Sequence, residues 1–278
     1  MPLRTILIGL DSSAYSLNAI ELGIGWAKRR RATLIGLAVV DEPGLTAPEP
    51  IPLGAGHFKH ELNRARVAKA RREVRIRLDA FAARCRRAKV ECRVLRGAGV
   101  PYAQILDQAQ RVDLVMLGQQ TYFSPAAGAE GGDTLRRVVE HASRPVVVVP
   151  DPLRQGPAVV LAYDGSVPAG RALYAFVASG LGAGLRVHVL SVRSRKAEAA
   201  RLAAAARAFL DYHGITASVR AIAAAASPAE VLLDQTVSLH AGLIVMGAHG
   251  KSWLQAFLLG SVTRAMLERA KVPLFLSS

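Results

Sequence analysis

Thr5-Ile6-Leu7-Ile8-Gly9-Leu10-Asp11-Ser12-Ser13 returns, altered but recognisable, as Val159-Val160-Leu161-Ala162-Tyr163-Asp164-Gly165-Ser166. Each copy is a short apolar run that ends in Asp, then Ser, and leads into a helical pattern. Short apolar runs bounded by turn formers read as buried strands. The two copies also close alike. Ser143-Arg144-Pro145-Val146-Val147-Val148-Val149 matches Lys271-Val272-Pro273-Leu274-Phe275-Leu276, and between them Val112-Asp113-Leu114-Val115-Met116-Leu117-Gly118 matches Ala241-Gly242-Leu243-Ile244-Val245-Met246-Gly247.

The chain is therefore an internal repeat, and each half alternates five apolar strands with helical patterns. Strands are expected near 4–10, 33–40, 90–95, 112–117 and 145–149, then near 158–163, 185–192, 217–222, 242–246 and 273–277. Alternation of this kind implies parallel sheets covered on both faces, with right-handed crossovers. The fold class read from the sequence is α/β, as two tandem doubly wound domains over residues 1–152 and 157–278. Each would hold a five-stranded parallel sheet flanked by helices.

Offsets between matched residues locate the difference between the halves. Asp11 to Asp164 spans 153 positions and Gly118 to Gly247 spans 129, so the first half carries about 24 extra residues between its first and fourth strands. They fall in the Pro/Gly-rich stretch from Pro43 to Gly56, expected to lack regular structure, and in a long basic helix after it. Along that helix Val67, Ala70, Val74, Leu78, Phe81 and Cys85 recur at helical spacing, beneath a cationic outer face. Such a face is ordinarily a solvated surface. Its alternative use is to meet an acidic partner, nucleic acid or anionic lipid.

Composition bounds the rest. With 278 residues, 51% of them hydrophobic and 5% aromatic, the chain buries a sizeable core, and its net charge of +15 is concentrated in the basic helix. No apolar run reaches the roughly 20 residues that span a bilayer. Met1-Pro2-Leu3-Arg4 runs straight into a strand pattern, so a cytoplasmic protein is expected. Cys85 and Cys92 make no metal motif and read as small buried hydrophobes in a reducing compartment.

Chemistry is most legible where the strand ending Val245-Met246 feeds Gly247-Ala248-His249-Gly250 and, ten residues on, Gly260-Ser261. Glycines let backbone approach a bulky anion, and a helix start offers unpaired N–H groups. The spacing is neither G-x-G-x-x-G nor a P-loop, since Lys251 is misplaced for the latter. Open parallel sheets bind ligands beyond the carboxyl ends of their strands, which is where Asp164, Val192, Met246 and Gly247 all fall.

G-x-x-G, nine residues, then G-S resembles the signature of the ATP-binding universal stress proteins, and both halves support the resemblance. It implies that the acidic residue after the first strand, Asp164, contacts the nucleoside. Val192 would offer backbone groups to adenine. Ala162 lies beside them, and Met246, Gly247, Gly250, Gly260, Ser261 and Val262 would wrap ribose and phosphates, with His249 and Lys251 flanking. The cofactor implied is ATP, with Mg²⁺ on its phosphates, and the role is a stress-response or signalling module.

The first half departs from the signature. Gln119-Gln120-Thr121 follow Gly118, and Asp133 aligns with Ser261, where a carboxylate would satisfy helix N–H groups and repel phosphate. Triphosphate binding is expected to be lost there, while Asp11 and Val39 would still permit a nucleoside-like contact. No paired carboxylates, Ser-His-Asp set or metal cluster suggests an enzyme. The fused copies resemble the family's dimer made in one chain, and the sequence leaves further self-association open. A competing reading is an adaptor that uses the basic helix, with the glycine loop vestigial. Nucleic acid is disfavoured because aromatics are scarce in the basic run.

Overall fold

The structure is a computed structural model that describes residues 3–48, 56–121, 123, 131–224, 227–248 and 259–278. Packing divides the chain into two compact units, Arg4–Val138 and Met1–Leu3 with Val139–Ser278.

In the unit Arg4–Val138 the order is β1 (Thr5–Gly9), α1 (Ala14–Arg30), β2 (Thr33–Val40), α2 (Glu42–Leu45), α3 (Gly56–Ala88), β3 (Cys92–Ala98), α4 (Pro101–Ala109) and β4 (Leu114–Gly118). The strands lie in the order β3-β2-β1-β4 and are parallel throughout. The apolar runs of β1, β2 and β4 are buried because helices pack on the sheet, β4 at every residue, whereas the edge strand β3 is largely exposed. Ser13 caps α1: its hydroxyl accepts from the Ser16 N–H at 3.1 Å, satisfying a donor that the helix start leaves over. The stretch expected to be irregular begins with one helical turn, α2, where the Asp41 carboxylate accepts from the Gly44 N–H at 3.0 Å. Residues 49–55 lie outside the described set.

After α5 (Gly131–His141), the larger unit contains β5 (Val146–Val149), β6 (Ala158–Ala162), α6 (Val167–Ser179), β7 (Arg186–Arg193), α7 (Lys196–Tyr212), β8 (Ala217–Ala223), α8 (Pro228–Ser238), β9 (Ala241–Gly247), α9 (Ser261–Arg269) and β10 (Leu274–Ser277). Its strand order is β5-β10-β9-β6-β7-β8. The α/β fold, mostly parallel and flanked by helices, is the one implied by the sequence. The last strands of the two repeats pair with each other: β5 runs antiparallel to β10, with Phe275 opposite Val147.

The core of this unit is strand-centred. Phe176 of α6 meets Phe275 of β10 edge to face at a centroid distance of 6.3 Å, fixing the helix over the sheet. α7 buries Ala199, Leu202, Ala203, Ala206 and Leu210, the three- and four-residue spacing of a helix with one face on β7 and β8.

Candidate functional site

β6 runs to Ala162, and the Tyr163 N–H still donates to the Leu190 carbonyl at 2.9 Å, carrying the parallel ladder one residue beyond the strand. The chain then turns. Asp164 accepts from the Ser166 N–H at 2.9 Å, and Ser166 caps α6 by accepting from the Ala169 N–H at 3.3 Å. This Asp-x-Ser geometry holds the Asp164 backbone at the carboxyl edge of the sheet and leaves its side chain partly exposed.

β7 and β9 end beside it. Together with the starts of α8 and α9 they enclose a cavity of about 180 Å³. Leu190, Val192, Leu232 and Met246 make an apolar floor, and Asp164 supplies a carboxylate. Gly247 is close to α6: a β-carbon there would lie 2.7 Å from the Ala169 nitrogen and 2.8 Å from the Pro168 carbonyl carbon, so only glycine fits. On the remaining side α9 begins at Ser261 behind its N-cap Gly260, which has no side chain to bond the first-turn N–H groups.

Of the ten residues expected from the sequence, Ala162, Asp164, Val192, Met246, Gly247, Gly260, Ser261 and Val262 line this one cavity. His249 and Gly250 lie outside the described residues, as does Lys251.

Sequence reasoning missed Arg193. Its Nη2 donates to the Asp164 carbonyl and lies 3.9 Å from the Asp164 carboxylate, while its Nε is 3.4 Å from Glu198 on the first turn of α7. The guanidinium thus bridges the ends of β6 and α7 along the cavity wall. The available signal was its place directly after Val192 at a strand's carboxyl end. Thr263 and Ser166 also line the cavity and were absent from the expected set.

The matching corner of the first repeat is built differently. Asp11 is buried and its carboxylate accepts from the Ser13 N–H at 2.9 Å and the Ser13 hydroxyl at 2.6 Å. Leu117 and Phe123 cover Gly9, the Phe123 Cζ lying 3.2 Å from where a β-carbon would sit, and Phe123 is itself buried. Thr121 donates its hydroxyl to the Gly118 carbonyl at 2.7 Å. Phe123 thus lies beside Gly9, the counterpart of Ala162, and Asp11 is buried where Asp164 is partly exposed.

The cavity pairs an apolar floor with a carboxylate and a helix N-terminus, which suits an elongated ligand with a flat apolar end and an anionic end. Among the described residues, no group of three or more His, Cys, Asp or Glu side chains is arranged to hold a metal ion, and no helix is long and apolar enough to cross a membrane.

Comparison with known proteins adds the following. The model of the Universal stress protein family matches residues 2–150 and again residues 157–277. A universal stress protein of Mycobacterium tuberculosis is 28% identical over 305 aligned positions, covering 98% of this chain and 94% of that protein. One from Synechocystis is 26% identical over 163 residues, 58% of this chain and 56% of its own length. Among solved structures, a universal stress protein from Archaeoglobus fulgidus superposes with a TM-score of 0.70 at 20% identity, covering 99% of this chain and 96% of that one, a likeness of fold.

Proposed function

The chain belongs to the universal stress protein family, and from that premise we propose that its second repeat, residues 157–278, binds ATP or a related adenine nucleotide and serves as a stress-response or signalling module. The observation that carries the reading is convergence. Eight residues drawn from four separate segments of the sequence, chosen by spacing and resemblance, line one cavity at the carboxyl ends of β6, β7 and β9.

Adenine lies against Val192 and Met246, the ribose faces Asp164, and the phosphates run to Gly260 and the N-terminus of α9. At about 180 Å³ the cavity suits the nucleoside end, below the roughly 300–1,000 Å³ of pockets that enclose a whole drug-sized ligand. The phosphates therefore extend to the mouth, where N–H groups and the helix dipole favour negative charge. Mg²⁺ arrives on the phosphates, held chiefly by their oxygens and water.

The first repeat serves as a pairing or regulatory domain. Two observations support that role: Phe123 lies against Gly9, the counterpart of Ala162, and β5 pairs antiparallel with β10.

Denaturing release from freshly purified protein, followed by chromatography, tests the proposal. Adenine nucleotide approaching one equivalent per chain is the expected result. Nucleotide near two equivalents would overturn the assignment to one repeat. Absence of nucleotide, together with failure to take up added ATP, would overturn the binding reading itself.

A further inference from the structure

The long helix α3 is the largest feature that the nucleotide site does not use. Its 33 residues bury only Val74, Leu78, Phe81 and Cys85, so no buried position precedes Val74. The helix spans roughly 50 Å at the standard rise. Its first half is therefore a rod whose outer face meets solvent, and that face has a definite composition.

Phe58, Leu62, Ala65, Ile76 and Ala80 are spaced at intervals that share one helical face, opposite the buried one. Phe58 is 70% exposed, Ile76 65% and Leu62 39%, where a solvated helix would carry polar side chains. Cations accompany this stripe. Arg71, Arg77 and Arg84 are tied to Glu42, Glu73 and Glu21. Arg64, Lys69, Arg72, Arg75, Arg86 and Arg87 are exposed, and none of these six is in an ion pair among the described residues. Lys69, Arg72 and Arg87 fall on the apolar face itself, whereas Arg64, Arg75 and Arg86, recurring every eleven residues with neighbours roughly 16 Å apart, run along the flank of the helix, with Glu61 and Asp79 between that row and the stripe.

We propose that this face of α3 docks on a membrane surface containing anionic phospholipid. The headgroup region of such a bilayer accepts both components at once, phosphate for the cations and the acyl boundary for Phe58, Leu62 and Ile76. A nucleic acid would use the cations and leave the three apolar side chains in water, with Phe58 alone to stack. A second copy of the chain, at +15, would bring like charge against like.

Co-sedimentation of the full chain with vesicles tests this, using phosphatidylcholine alone and an equimolar mixture with phosphatidylglycerol. The protein is expected to bind the mixed vesicles, weakly or not at all the neutral ones, with affinity falling as salt rises. The variant Arg64→Ser/Arg72→Ser/Arg75→Ser is expected to lose about fivefold per cation removed. Phe58→Ser/Ile76→Ser, which touches no charge and no buried residue, is expected to lose at least about tenfold at every salt concentration. Gly260→Asp is expected to bind vesicles as wild type does, which separates this surface from the nucleotide site. No binding to mixed vesicles, equal binding to neutral ones, or an unaffected Phe58→Ser/Ile76→Ser variant would overturn the proposal. Binding to single-stranded DNA or polyglutamate without binding to vesicles would reassign the face to a soluble polyanion.

Discussion

Gly247 and Gly260 flank the same cavity and answer to different physics. At Gly247 the obstacle is backbone, the Ala169 nitrogen and the Pro168 carbonyl carbon of α6, so a methyl group must push a helix off a strand. Gly247→Ala is expected to destabilise the protein by about 1–3 kcal/mol, read as a lower denaturation midpoint with an unchanged slope. Gly260 has φ −59° and ψ 152°, a conformation any L-residue adopts, and Asp is a favoured N-cap. Substitution with Asp there changes charge without loss of helix, which makes it the cleaner probe of an anion. Away from the site, burial and the neighbouring Cys92 push the Cys85 thiol up from its ordinary 9.0 to about 12. The neutral thiol is the form the fold favours. Its contribution to stability is complete below pH 9.0 and is lost as pH rises toward about 12. Iodoacetamide near pH 8 is expected to leave Cys85 unmodified until the protein is denatured, since thiolate is then on the order of one part in 10⁴. Peptide mass spectrometry reads this directly, and rapid labelling of Cys85 in the native state would contradict it.

At the level of elements, the sequence exposed every strand, because β4, β5, β6 and β9 are nearly continuous apolar runs and little else in the chain resembles them. It exposed α3 through the recurrence of Val67, Ala70, Val74, Leu78, Phe81 and Cys85, of which the last four are buried and the first two only half-buried. It could not expose the pairing of β5 with β10, because four valines pack equally well beside many neighbours and the partner is chosen only by tertiary packing. The Phe123 ring over Gly9 was equally illegible, because it comes from a Pro/Ala-rich segment with no periodicity to read. Arg193 was hidden for a different reason: it sits in sequence at the end of a strand, and only folding sets its guanidinium against Asp164 and Glu198. α3 itself is expected to be uneven in stability. Amides from Gly56 to Glu73, with no buried side chain beneath them, should exchange with solvent faster than those from Val74 to Ala88. Uniform protection along the helix in hydrogen-exchange mass spectrometry would show that the first half has cover the structure does not display.

For the whole molecule, the two proposed surfaces divide the work by charge and shape. On the proposed reading, the net charge of +15 favours nucleotide triphosphate and anionic bilayer alike, and the rate of ATP capture is expected to fall as ionic strength rises. What distinguishes the nucleotide site is geometry: an apolar floor, one carboxylate, and a helix N-terminus whose first turn lacks a capping side chain, gathered from segments far apart in the chain. The central claim is that this gathering is a nucleotide site. Calorimetric titration of ATP into the wild-type protein and the Gly260→Asp variant tests it most directly. The account predicts a single saturable event near one equivalent for wild type and a loss of at least about tenfold in affinity for the variant, with its thermal midpoint retained. Equal ATP affinity in the two proteins would contradict it.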